Sequence, residues 1–154
     1  FALLFGVYTL FKHTNDEKQI DGFELCEVTW KSGGINTETG NMEVNEEYMY
    51  SSPIECTDTL KINREFTSQI AFVVFYYDSL GNLVFVDNNL NSTDEDFKGY
   101  IDQYERPLDE LCENYENINH ARIVVKWMND KNYKLSYYER YKLSNQIDVY
   151  VSND

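Results

Sequence analysis

The run Asp87-Asn88-Asn89-Leu90-Asn91 places side-chain oxygens at its first, third and fifth positions, as the opening of a calcium-binding EF-hand loop does. The pattern then breaks. Ser92 stands where that loop needs a glycine, and Lys98 where a bidentate glutamate closes the cage. An EF-hand is excluded. A looser oxygen cage from Asp87, Asn89, Asp94 and Asp96 is the remaining metal expectation, with calcium as the ion, set against the simpler reading of a solvated acidic loop.

Catalytic groups are thinly represented. The two imidazoles, His13 and His120, have no serine or cysteine partner by motif, and G-x-S-x-G, H-E-x-x-H and P-loop patterns are absent. Among 27 acidic residues no carboxylate pair is singled out for glycoside hydrolysis. The chain therefore reads as non-catalytic. Cys26, Cys56 and Cys112 show no C-x-x-C spacing, which leaves zinc poorly supported. Their odd number allows at most one disulfide within the chain, and free, buried thiols are the simpler alternative. The spacing does not decide whether Cys26 and Cys56 meet.

Aromatic residues offer a different chemistry, the stacking of flat rings against a ligand. There are 13 Tyr, nine Phe and two Trp. Trp30, at a strand end beside Gly33 and Gly34, is expected to be accessible. With Tyr48, Tyr50, Tyr76 and Tyr137 it forms the candidate ligand-binding set, and Tyr138 and Tyr141 add aromatic surface. Trp127 alternates with Ile123 and Val125 and is assigned to the core. Tyr76 and Tyr77 fall on opposite faces of one strand, so one should point inward and the other outward. Rings flanked by Asn and Asp suit glycans, whose CH groups lie on the ring while their hydroxyls take hydrogen bonds.

The net charge of −14 argues against nucleic acid and anionic membrane surfaces, both of which need clustered Lys and Arg. The expected partner is a glycan or a surface protein, in an extracellular or cell-surface setting. Asn91-Ser92-Thr93 is formally a glycosylation sequon.

The elements that must position these groups are mostly strands. Residues 1–12 are an apolar segment, expected to be the end of a truncated signal peptide or membrane anchor, and the only route to a membrane. Residues 13–21 read as a linker and 22–154 as one domain. Residues 69–86 are two β-forming runs around Asp78-Ser79-Leu80-Gly81-Asn82, a hairpin. Residues 23–30 alternate as a strand, 31–34 and 39–41 read as turns, and strand pieces flank the Ser51-Ser52-Pro53 break. Residues 59–62, 121–128 and 147–151 are further strands. Residues 107–115 are the helix candidate, with Pro107 in its first turn and Leu108, Leu111, Cys112 and Tyr115 on one face. Many short strands separated by turns predict an antiparallel β-sandwich with one short helix in an insertion.

The order Trp30-Lys-Ser-Gly-Gly-Ile35, Thr39-Gly40, Ser51-Ser-Pro-Ile54, the hairpin from Phe75 to Val84, and His120-Ala-Arg-Ile-Val-Val125 resembles carbohydrate-binding, galactose-binding-like jelly-roll modules of bacterial surface and phage tail-associated proteins. The resemblance spans residues 23–151. It implies a jelly-roll-like sandwich with Trp30 and Gly34-Ile35 at the first strand and its turn, the Tyr77-Asp78…Gly81-Asn82 hairpin at the centre, and Arg122-Ile123 in a late core strand. Tyr48-Met49-Tyr50 stands where such modules commonly carry an Arg, and residues 91–119 are longer than the pattern. The function implied is a non-catalytic, glycan-directed binding module. The alternative is a structural or protein-interaction domain of a cell-surface or phage-derived assembly with no small ligand.

Overall fold

The computed structural model describes residues 18–64, 70–88, 103–127 and 134–153. The apolar N-terminal segment, the first part of the linker, the sequon and the greater part of the acidic loop lie outside the described residues.

Among the described residues twelve strands follow in chain order: β1 (Phe23–Leu25), β2 (Trp30–Ser32), β3 (Gly34–Ile35), β4 (Met42–Glu43), β5 (Met49–Ser51), β6 (Ile54–Glu55), β7 (Thr59–Arg64), β8 (Ile70–Tyr77), β9 (Leu83–Asn88), β10 (Gln103–Pro107), β11 (His120–Trp127) and β12 (Ile147–Ser152). One α-helix, α1 (Tyr137–Ser144), precedes β12. The first sheet has the order β1-β12-β7-β10. The second runs β2-β5-β11-β8-β9, with β6 also paired to β11, and β3-β4 forms a small separate hairpin. All pairings are antiparallel. From β7 onward the chain passes repeatedly between the two sheets. Once β5 and β6 are counted as one interrupted strand, this is the strand order of a jelly-roll-like sandwich.

The interruption has a local cause. Pro53 cannot donate to a ladder, and β5 and β6 address different parts of β11, with Val124 opposite Tyr50 and Ala121 opposite Ile54. Between them the Ile123 amide donates to the hydroxyl of the fully buried Ser51 at 2.8 Å. The side chain thus supplies the acceptor that the broken strand withdraws.

The main core fills the space between the sheets. Phe72, Val74 and Tyr76 from β8 and Ala121, Ile123 and Val125 from β11 meet Leu60, Ile62, Tyr104, Val149 and Val151 from the opposite sheet. A second cluster covers the other face of the second sheet: Val73, Phe75, Tyr77 and Val124 under Ile35, Tyr48 and Tyr50. The β3-β4 segment folds over this face, and the Tyr77 hydroxyl donates to the Gly40 carbonyl at 2.8 Å. Tyr76 and Tyr77 do point to opposite faces. Both are nonetheless buried, because residues 33–43 cover the face that alternation alone assigns to solvent. The expectation that one ring faces outward is corrected accordingly.

Two element assignments change. Residues 23–30 are not one strand: β1 and β2 belong to different sheets, and residues 26–29 cross between them. Residues 107–115 are not an α-helix. Pro107 ends β10 in an extended conformation, followed by single 3-10 turns at Leu108–Glu110 and Tyr115–Asn117. Leu108 and Leu111 are buried as expected, but by a turn whose first amide, Leu108 N, donates to Asp58 O at 2.9 Å. Among the described residues the one α-helix is α1. The expected hairpin stands as β8-β9: the Asp78 carboxylate accepts from the amides of Leu80 and Asn82 at 2.9 and 2.8 Å, which hold it below the ordinary carboxylate range.

Candidate functional site

The start of α1 is set by a capping box. Ser136 Oγ accepts from the Glu139 amide at 3.2 Å, and the Glu139 carboxylate accepts from the Ser136 amide at 3.2 Å. Leu143 is the helix's one buried residue, and Leu135, just ahead of it, is buried too. The remaining aromatic side chains face water: Tyr137 is 87% exposed, Tyr138 69% and Tyr141 65%. Tyr137 and Tyr141 are four apart and Tyr138 and Tyr141 three apart, so all three share one side of a short helix.

This helix entry is fastened to the approach to β5. The Leu135 amide donates to Glu46 O at 2.9 Å, and Arg140 Nη2 donates to the same carbonyl at 3.4 Å. Lys134 Nζ lies 3.0 Å from the Glu46 carboxylate and, by hydrogen bond and charge, holds it below its usual pKa. Tyr48 follows two residues later, half-buried on the second cluster. Burial, with Glu47 and Glu43 nearby, raises its phenol pKa. Tyr50 is also half-buried and lies 5.9 Å under the Arg122 guanidinium, whose Nη1 donates to Ser51 O at 3.0 Å.

The candidate ligand contacts therefore separate. Tyr48 and Tyr50 pack on the second cluster, whereas Tyr137 stands exposed on α1, whose entry is tied to Glu46, two residues before Tyr48. Trp30 is half-buried against the inter-sheet core, a wall residue more than the open platform expected. Tyr76 has no exposed surface, so its ring belongs to the core and cannot stack on a ligand. Trp127 ends β11; its side chain lies outside the described residues. An open groove of about 440 Å³, lined by Gln19, Ile20, Asp21, Gly22, Phe23 and Asn153 among others, contains none of the candidate set.

Of the calcium candidates, Asn89, Asp94 and Asp96 lie outside the described residues. Asp87 lies on β9 and is committed within the fold. Its Oδ2 accepts from Tyr104 OH at 2.7 Å and lies 3.6 Å from Arg106 Nε. No group of three or more His, Cys, Asp or Glu stands together as a metal cluster among the described residues. His120 stacks on Tyr77 with ring centres 5.1 Å apart, and Nδ1 lies 3.0 Å from Asn119 Oδ1. Burial, then the Arg122 charge, lowers its pKa.

Buried hydroxyls and thiols give the protein an alkaline limit. Burial pushes Tyr77 and Cys56 each up to about 12, and Tyr76 and Tyr104 higher still. A folded pKa above the unfolded one contributes stability that is complete below the unfolded value and is lost as pH rises through the folded value. The unfolding midpoint in urea is therefore expected to fall between pH 9 and 12, the span from the ordinary Cys and Tyr values of 9.0 and 10.0 to the raised ones. A midpoint that stays constant across that range would contradict the buried, neutral state of these groups.

Comparison with protein-family models, curated proteins and solved structures finds no match. The fold stands on its own geometry as a mainly antiparallel β-sandwich.

The sequence signal for α1 was present but weaker than the false one at Pro107. Ser136-x-x-Glu139 is a capping box ahead of a segment whose apolar content is mostly tyrosine. With a single buried leucine it lacks the apolar stripe that usually betrays a helix.

Proposed function

We propose that the chain is a non-catalytic extracellular binding module directed at glycans. The observation that carries this reading is the exposure of Tyr137, Tyr138 and Tyr141 together on α1. Three phenol rings held in water on a fixed helix present stacking faces and hydroxyls to a flat, polyhydroxylated ligand. The acidic balance of the chain suits a neutral or cationic ligand better than an anionic one. The antiparallel sandwich is consistent with the resemblance to carbohydrate-binding jelly-roll modules, although fold alone does not carry function.

A second reading is a protein-interaction domain with no small ligand. It is favoured by the burial of Tyr76 and the packing of Trp30 and Tyr50 into walls, which leaves the exposed rings on a convex helix instead of in a cleft. A glycan array probed with the whole chain, with and without calcium, separates the two. Retention on one glycan class, reduced about tenfold or more by Tyr137→Ala with Tyr141→Ala, is expected of the first reading. Absence of binding to every glycan in both conditions sinks it and leaves the second.

A further inference from the structure

The second sheet ends on β9. β8 lies on one side of this strand, and among the described residues no strand pairs with the other side. An edge strand turns every second amide and carbonyl away from its one partner, so half the backbone groups of β9 have no ladder to join. Leu83-Val84-Phe85-Val86 is an unbroken run of β-formers, with neither a proline nor a base anywhere in the strand. β9 has six residues against three in β2 at the opposite rim. Residues 71–77 of β8 are buried, whereas residues 83–87 each keep partial contact with water.

The side chains of β9 leave this rim clear for a backbone partner. Phe85 packs against the inter-sheet core, its ring centre 6.5 Å from that of Tyr76, and Leu83 and Val86 pack on the second cluster. Asp87, the strand's only charge, is turned inward to Tyr104 and Arg106. A bulge between the Tyr76 and Tyr77 pairs absorbs Val84, so the regular stretch on offer is residues 85–88. The charges at the start of the strand are acidic. Exposed Glu38 belongs to the turn whose Gly40 packs against Leu83. Asp78 opens the β8-β9 turn, where the amides it accepts from keep its carboxylate charged. Arg106, near the other end, is engaged by Asp87.

We propose that β9 takes up an extended, basic segment of another protein, which adds to the second sheet as one further strand. Main-chain hydrogen bonds to the open groups of β9 supply the hold. Lys or Arg side chains of the segment meet Glu38, Asp78 and the negative field of a chain whose net charge is −14. The same field sets a second copy of this chain aside as the occupant, since each copy brings that charge to the contact. β9 is a different element from α1 with its exposed tyrosines, and the inference does not depend on the glycan reading.

The test follows amide hydrogen exchange of the whole chain in a large excess of a capped hexapeptide of alternating lysine and valine. Exchange should slow about fivefold or more at the amides of β9 but not at those of β2, and the protection should fade as salt is raised. The same peptide N-methylated at every amide has no donors to offer and should give no protection. An alternating glutamate–valine peptide should protect far less than the lysine one. The chain itself is unaltered throughout, so the folding of a variant does not enter. Absence of protection at β9, or equal protection by the N-methylated or the glutamate peptide, would overturn the proposal. So would a chain that is already a dimer, with β9 protected, before any peptide is added.

Discussion

Asp87→Ala is expected to cost the fold about 3 kcal/mol, Tyr104→Phe about 2 and Tyr76→Phe about 1, in that order, when unfolding is followed in urea. The ranking comes from the direction of one hydrogen-bonded chain. The Asp87 carboxylate can only accept, so the Tyr104 hydroxyl, 2.7 Å away, must donate to it. Tyr104 oxygen is then left to accept, and the Tyr76 hydroxyl, also at 2.7 Å, must donate to it. Both rings are fully buried. Tyr76 and Asp87 belong to β8 and β9 of one sheet, Tyr104 to β10 of the other, so the chain joins the two layers across the core.

Removing Asp87 strands the Tyr104 donor in an apolar interior and leaves Arg106, 3.6 Å from the carboxylate, without its ion partner. Removing the Tyr104 hydroxyl takes the acceptor from Tyr76 but leaves Asp87 its arginine. Removing the Tyr76 hydroxyl deletes a terminal donor and leaves the Tyr104–Asp87 bond intact. The Asp87 figure is held to the lower end of the range for broken buried pairs because its side chain keeps some contact with water. Equal costs for the three variants would show that the hydroxyls do not act as an ordered series.

The second large effect is expected at Gly40. Gly40→Ala should lose about 2–4 kcal/mol, whereas Gly81→Ala should lose about 1. Both glycines have positive φ, +75° and +85°, which disfavours any side chain. They differ in surroundings. A Cβ on Gly81 meets nothing within 4 Å, while one on Gly40 would lie 2.9 Å from Tyr77 Cε2 and 3.0 Å from Leu83 Cβ. Neither neighbour is the loose end of a flexible chain. Relieving the contact means lifting residues 37–41 off the sheet, which also breaks the hydrogen bond from Tyr77 to the Gly40 carbonyl. A spectroscopic readout accompanies the loss: the Tyr77 phenol, pushed up to about 12 by burial, should ionise at lower pH in Gly40→Ala. If the two alanine variants cost the same, the covering hairpin is not seated as tightly as the distances imply.

Much of this architecture could be read from residue order, and the failures are physical ones. The β8-β9 hairpin, β11 and β12 were legible because their runs of Val, Ile, Phe and Tyr are long and bounded by turn chemistry. The Ser-Ser-Pro break was legible because proline removes a donor wherever it stands. Residues 23–30 misled because their alternation runs on through the crossing: Cys26, Val28 and Trp30 all face the inter-sheet core although the chain changes sheets between them. Pro107 misled because its fixed φ suits the first turn of a helix and the end of a strand equally, and here it is −60° with ψ at 134°, extended. Tyr76 was misjudged as accessible because alternation separates it from Tyr77 without saying which of the two meets the opposite sheet: Tyr76 faces the inter-sheet core, and residues 33–43 close over Tyr77 as well. For the candidate site, tyrosine content pointed to Tyr137 and its neighbours, while the helix that groups them had almost no apolar pattern to announce it.

The outer strands of the sandwich have a consequence for how the molecule behaves among copies of itself. β1 and β2, each at the rim of a sheet, are only three residues long, and β2 carries Lys31. β10, at the opposite rim of the first sheet, holds Glu105 and Arg106 side by side and ends on Pro107, which has no amide hydrogen to offer. A foreign strand approaching any of these three rims finds few backbone groups in line, charges to desolvate, or a missing donor. A β-rich chain with 16% aromatic residues is by composition a candidate for polymerisation, and these three margins guard it against growth by strand addition.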